Sequence, residues 1–213
     1  LMPRLLQEVK AYFSLAEKLG RFMGQLQCHA IADVSIRYQG ELSQKNTEPL
    51  KVALIKGLLQ PTLQDHVNYV NALLIARERG ISITESKTSM ASDYTNQIIL
   101  EVRFEDEEYP RKVGGSIIGE GQERIVNIDG FPISCIPEGE LLVIPHPDKP
   151  GMVGVIGEFL GQHDVNISGL QLGRHARRGA AVMVVNIDDT LAPDVLSKIQ
   201  ASEDFSATRM VSL

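Results

Sequence analysis

Apolar positions recur every three to four residues from Leu5 and Leu6 through Val9, Tyr12, Phe13, Ala16, Leu19, Phe22 and Met23 to Leu26. That period predicts one long amphipathic helix at the start of the chain, with a stripe that needs something to pack on. Residues 30–38, with Ile31, Val34, Ile36 and Tyr38 among polar neighbours, read as a strand, and the polar stretch 43–47 follows it. Residues 50–59 are apolar at helical spacing and are expected to stop near Pro61, while 65–79 continue a helical pattern that Gly80 would cap. Alternation then predicts strands over 81–85 and 97–104, separated by a polar, turn-rich loop. Three short strands are expected over 113–118, 124–128 and 131–136, and Asp129-Gly130 between the last two is the strongest hairpin signal in the chain. Pro137-Glu138-Gly139 reads as a boundary.

Beyond it the pattern is strand 141–146, helix 151–163, strands 165–173 and 180–188, helix 192–200 and strand 205–213. This βαββαβ order is the ferredoxin-like arrangement, an antiparallel sheet with both helices on one face. Its other face is expected to stay exposed unless another chain or domain covers it. The fold class expected for the whole chain is α+β, an α/β domain with a mixed sheet followed by the ferredoxin-like one. A length of 213 residues suits two modest domains.

Composition removes several function classes. No apolar run approaches the roughly 20 residues that span a bilayer, so no membrane partner is expected. A net charge of −6 argues against nonspecific nucleic-acid binding, which needs clustered Lys and Arg. Cys28 and Cys135 have neither metal-ligand spacing nor the density of a disulfide scaffold; each reads as a small buried hydrophobe in a reducing compartment. Leu1-Met2-Pro3-Arg4 resembles no targeting peptide, and the absence of a start methionine leads to the expectation of a piece of a longer chain.

The stretch 141–166 carries the most chemistry. Pro147, Asp148, Pro150 and Gly151 break a strand, and Met152, Val153, Val155, Ile156, Phe159 and Leu160 start a helix. The N–H groups of that helix start point back to the turn that holds His146 and Asp148, where a small anionic group could dock. Asn166 opens the next strand with an amide that both donates and accepts. A plainer reading stands beside this one, with Asp148 only a turn former and helix cap. Gly119-Glu120-Gly121 has two glycines of a dinucleotide fingerprint, but Arg124 replaces the third and no βα unit surrounds it, so it reads as a hairpin turn. No P-loop, HExxH or serine elbow occurs, and the five histidines suggest no metal site. His66 reads as a polar-edge residue and His163 as a helix-dipole partner. Asn68 and Asn71 are odd inside a helix and point to a bridge to a neighbouring loop. Among Arg111, Lys112, Arg124, Arg174, Arg177 and Arg178, the basic groups nearest glycine turns, a subset could bind phosphate, although most read as solvated surface.

Four segments occur in order: Ala16-Glu17-Lys18-Leu19-Gly20, Leu54-Ile55-Lys56-Gly57-Leu58-Leu59, Val67-Asn68-Tyr69-Val70-Asn71-Ala72, and Asp148-Lys149-Pro150-Gly151 followed by Val165-Asn166-Ile167. The set resembles the C-terminal half of long-form D-3-phosphoglycerate dehydrogenase over essentially the whole chain. The resemblance implies a helix from the tail of the catalytic part at 1–27, an intervening allosteric substrate-binding domain at 28–138 and an ACT domain at 140–213. It implies that NAD and the catalytic residues belong outside these residues, that this portion regulates, and that the setting is cytoplasmic or plastid. In serine-responsive members a turn side chain, an Asp or Asn two residues on, and the Asn of VNI hold L-serine between two ACT domains; these match His146, Asp148 and Asn166. Asp148 would pair with the ammonium, Asn166 with carboxylate or hydroxyl, and the N–H groups near Gly151 and Met152 would favour the carboxylate. A homodimer or homotetramer through ACT domains follows. A phosphate site at Arg111, Lys112 and Arg124 is a further expectation. Two alternatives stay open: an assembly module that senses nothing, and the β part of an iron–sulfur L-serine dehydratase, although the SSSHTAG-like segment typical of the latter is missing.

Overall fold

The computed structural model describes residues 2–26, 29–90, 93–105 and 107–213, and in the opening helix the side chains from Val9 onward. Cys28 and the side chains of Leu5 and Leu6 lie outside the described residues. The chain divides into two compact units, Leu1–Gly130 and Phe131–Leu213.

The first unit begins with α1 (Met2–Leu26), β1 (Ile31–Gly40), α2 (Glu48–Leu63) and α3 (Ala72–Glu78). Strands β2 (Ser82–Thr88), β3 (Asn96–Phe104), β4 (Arg111–Ile118) and β5 (Gln122–Ile128) follow. Asp129 (φ 50°) and Gly130 (φ 89°) both take left-handed conformations, as a tight hairpin turn requires, before β6 (Phe131–Cys135). Within this unit the strand order is β2-β1-β3-β4-β5; β2 runs parallel to β1 and the pairings of β1 with β3, β3 with β4 and β4 with β5 are antiparallel.

The opening helix packs into this unit. Leu15, Ala16, Leu19, Phe22, Met23 and Leu26 are buried within this unit. A Cβ on Gly20 would run into the carbonyl of Leu54, and one on Gly57 into the carbonyl of Glu17, so α1 and α2 touch backbone to backbone. At the edge of that contact Glu17 accepts from Lys56 Nζ and from Tyr69 Oη. Burial alone would raise the Glu17 pKa, but the bonds from Lys56 and Tyr69 hold it below the ordinary value. The same bond to Glu17, with some burial, pushes the Tyr69 phenol up to about 12.

Two helix expectations change. α2 continues through Pro61 to Leu63, held by the burial of Leu54, Leu58 and Leu59. The predicted helix over 65–79 is instead a short 3-10 turn at Gln64–His66, a loop, and α3. Asn68 Oδ1 accepts from the N–H groups of Val70 (2.8 Å) and Asn71 (3.1 Å). Asn71 Oδ1 accepts from the Asn68 N–H (2.7 Å) and Asn71 Nδ2 donates to the His66 carbonyl (2.9 Å). The two amides replace helix bonds with a loop of their own.

The second unit adds β7 (Glu140–Pro147), α4 (Met152–Gln162), β8 (Ile167–Arg174), β9 (Ala180–Ile187), α5 (Pro193–Gln200) and β10 (Arg209–Ser212). Its antiparallel sheet has the order β10-β7-β9-β8, the ferredoxin-like one. Leu142, Ile144, Met183, Val185 and Ile187 meet Ile156, Leu160, Ile199 and Phe205 in one core. Leu141, Val143, Val182 and Val184 on the other face are buried too. Segment 131–138 lies against that face: Asn186 Nδ2 donates to the carbonyls of Ile136 (3.1 Å) and Glu138 (3.4 Å), and a Cβ on Gly173 would meet the Pro132 carbonyl. These contacts place the division of the chain at Gly130–Phe131, ahead of the Pro137-Glu138-Gly139 signal.

Candidate functional site

β7 delivers His146 to the helix-bearing side of the sheet. The ring is buried, stands edge-on to Phe205 at 6.4 Å between centroids, and has Nδ1 2.9 Å from the Pro147 carbonyl. With the proton on Nδ1 donated to that carbonyl, Nε2 is an acceptor, and it is buried without a partner. A buried lone pair with nothing donating to it costs about 1–3 kcal/mol, which a ligand donor would recover. Gly151 follows in a left-handed conformation (φ 94°) as the cap of α4, whose first-turn N–H groups have no carbonyl partner within the helix.

Asp148 does not cap that helix. Its Oδ2 accepts from Arg174 Nη1 (2.9 Å) and from the Arg178 N–H (3.0 Å), while its own N–H donates to the Gly179 carbonyl (2.8 Å). The Arg178 N–H, followed by the Arg174 guanidinium, holds the Asp148 carboxyl below the usual range. Asp148 therefore clamps the β8–β9 hairpin, Arg174 to Gly179, onto the turn before α4. In the sequence Arg174 stands out only as one basic group near a glycine turn. The register supplies what it lacked: His146 and Arg174 both stand opposite Ala181 on the central strand β9. Lys149, the nearby lysine, donates to Asp204 (2.9 Å).

Asn166 lies elsewhere. Pro147 pairs with Ala180 at one end of β9 and Ile167 with Ile187 at the other, so seven strand residues, about 24 Å, separate the Asp148 turn from Asn166. Asn166 is exposed, and its Nδ2 donates to Asp188 Oδ2 (2.6 Å). One chain thus brings together His146, Asp148, Gly151 and Met152 but not Asn166.

The expected phosphate trio is not assembled. Arg111 donates to Asp129 through Nε (2.8 Å) and Nη2 (2.7 Å), and the Lys112 N–H donates to the same carboxylate (2.8 Å). Arg124 stands opposite Ser116, five residues or about 17 Å along β4 from Arg111, and donates to Gln122 Oε1 (2.8 Å). The cavity beside Arg111, of about 550 Å³, is lined also by Glu101, Glu107, Glu108 and Asp129, a surplus of carboxylates that repels phosphate. Gly119 and Gly121 turn the β4–β5 hairpin, a strand-to-strand junction that does not fit a dinucleotide. Among the described residues no group of His, Cys, Asp and Glu could hold a metal ion, and no helix is long and apolar enough to cross a membrane.

A model of the D-3-phosphoglycerate dehydrogenase intervening domain matches residues 8–129. The chain belongs to that family. The match begins inside α1 and ends at the Asp129-Gly130 turn, so it covers nearly the whole first unit, most of the opening helix included. In the segments that carry the resemblance, Gly20 and Gly57 are the points of backbone contact between α1 and α2, and Val67 to Asn71 form the asparagine loop that leads into α3 at Ala72. A D-3-phosphoglycerate dehydrogenase of Synechocystis sp. is 39% identical over 93% of this chain and 36% of its own length. The Methanocaldococcus jannaschii enzyme of that name is 36% identical over 100% and 40%, and the Bacillus subtilis one 34% over 97% and 39%. The chain spans about two fifths of the length of these curated relatives.

Proposed function

We propose that this chain is the regulatory part of a longer D-3-phosphoglycerate dehydrogenase and that its second unit is an ACT domain binding L-serine between two copies. The parent enzyme would oxidise 3-phosphoglycerate to 3-phosphohydroxypyruvate with NAD, the first step toward L-serine, and serine would act as feedback inhibitor. NAD would be held by residues outside this chain.

The observation that carries the reading is the buried, unpartnered Nε2 of His146 beside Asp148 and the start of α4. An ammonium or hydroxyl donates to Nε2, an ammonium pairs with Asp148, and free helix-start N–H groups favour a carboxylate. The distance of Asn166 fits a shared site. β8 is the edge of its sheet, with Leu172 exposed on it. Two copies pairing antiparallel through the middle of β8 would bring Asn166 of each beside the Arg174 end of the other. Ligand bound across that seam favours the paired state by mass action.

A second reading has one observation in its favour: Asp148 is already engaged by Arg174 and Arg178, as in a unit that only assembles. Isothermal titration with L-serine separates the two, with D-serine and glycine as controls. The sensor reading expects stereoselective binding that Asn166→Ala removes. A stable dimer giving no heat with serine refutes it.

A further inference from the structure

The Arg174–Asp148 ion pair closes the place where a zwitterion would sit. His146 and Arg174 leave the sheet on the helix-bearing side, directly across Ala181 from each other, and Ala181 between them is too small to keep them apart. Asp148 offers Oδ2 to both of its donors, which leaves Oδ1 for another. Arg174 is about half exposed and has one charged partner. An α-amino acid carries a cation and an anion on one carbon, whereas His146, Asp148 and Asn166 supply one charge between them. The carboxylate lacks a counter-charge from that set, and Lys149 is committed to Asp204.

We infer that Arg174 is the carboxylate-binding residue of this site, and that the ligand enters by exchanging into its ion pair with Asp148. The ammonium takes Asp148 while the α-carboxylate takes the Arg174 guanidinium. No charge is left without a partner at any stage, because each ion trades one charge-assisted hydrogen bond for another. Because Arg174 ends β8 and the Arg178 N–H holds the same carboxylate, the exchange also releases one of the three bonds by which Asp148 clamps the β8–β9 hairpin. The inference rests on the second unit binding L-serine.

The test pairs two ligands with two proteins. L-Serinamide keeps the ammonium, hydroxyl and stereochemistry of L-serine but lacks the carboxylate charge. In isothermal titration the unaltered chain should bind serine roughly tenfold or more tightly than serinamide, as one charge-assisted bond warrants. Arg174→Gln should weaken serine by a similar factor while leaving serinamide within about twofold, and Arg174→Lys should restore part of the preference. Arg177→Gln, which removes a neighbouring charge, should leave the preference unchanged, and matching thermal unfolding curves should show all variants folded. Equal weakening of both ligands by Arg174→Gln overturns the inference and makes Arg174 a brace for Asp148. Serine binding untouched by Arg174→Gln but lost in Asn166→Ala overturns it while sparing the serine site. No serine binding to the unaltered chain removes both.

Discussion

A site divided between two copies predicts that two defective chains rescue each other. Asp148→Ala removes the carboxylate of the α4 turn, and Asn166→Ala removes the amide at the other end of the sheet, about 24 Å away in the same chain. Each homodimer then lacks one essential group in both of its sites, and each should lose serine affinity by roughly tenfold to a hundredfold, the range for a charged or buried hydrogen-bond partner. Mixing the two at equal concentration and allowing exchange gives roughly half heterodimers. In a heterodimer one site takes Asp148 from one chain and Asn166 from the other and is whole, while its twin lacks both. About a quarter of all sites should therefore regain full affinity, because half the dimers hold one good site of two. Titration of the mixture with L-serine should show that high-affinity fraction, and neither variant alone should. If the mixture titrates as the sum of its parts although exchange is demonstrated by mass, the two residues do not share a site across the seam. Failure of Asn166→Ala alone to weaken serine refutes the reasoning sooner.

Three further expectations come from the two units themselves. Gly57→Ala drives a methyl into the Glu17 carbonyl, and although alanine favours a helix by about 1 kcal/mol, overpacking should give a net loss on the order of 1–3 kcal/mol. Gly157→Ala, on the open side of α4 with nothing within 4 Å, should stabilise by about 0.5–1 kcal/mol; urea unfolding showing the same sign for both would sink the helix-contact argument. The carboxyl of Asp148 should titrate below the 3.8 of an ordinary aspartate, with a contribution to stability complete above that value and lost as the pH falls through the lower folded midpoint. Carboxyl NMR should show that midpoint move up in Arg174→Gln, and an unmoved one would deny the ion pair. Ultraviolet titration should find one tyrosine, Tyr69, near 12, and Glu17→Gln should bring it back toward 10.0.

Much of the second unit was legible because its patterns are clean. Leu141 to Ile144 and Ala181 to Val185 are unbroken apolar runs, buried on both sides of the sheet, and the spacing of Ile156 and Leu160 fits one helix face. The first unit hides more. Residues 65–79 keep a helical spacing of apolar positions, and only the pair Asn68 and Asn71 signals that side chains take over the backbone's hydrogen bonds there. β2 reaches Thr88 through a polar run that no alternation marks, because its pairing comes from its parallel neighbour β1. Pro61 reads as a stop, yet tertiary burial of α2 carries the helix two residues past it.

The candidate residues could be named from the sequence but their placement could not, for a reason that lies in the fold. In a βαββαβ sheet the first and second strands run parallel on either side of the third. The end of one strand and the beginning of the other therefore lie at opposite edges of the molecule. His146 lies at the end of β7 and Asp148 just past it, Asn166 precedes β8, and 16 residues lie between Asp148 and Val165 in a helical crossover that spans the sheet's full length. No single copy of this topology can bring such groups together. A two-fold axis through an edge strand can, because antiparallel pairing sets each strand's start against its partner's end. Proximity in sequence thus misleads within the chain, and in the proposed pairing it becomes informative only across the axis between copies. The proposed shared site links ligand affinity to assembly for the same reason: if two copies hold serine between them, any substitution that weakens the β8 seam should weaken serine binding, even where it touches neither half of the site.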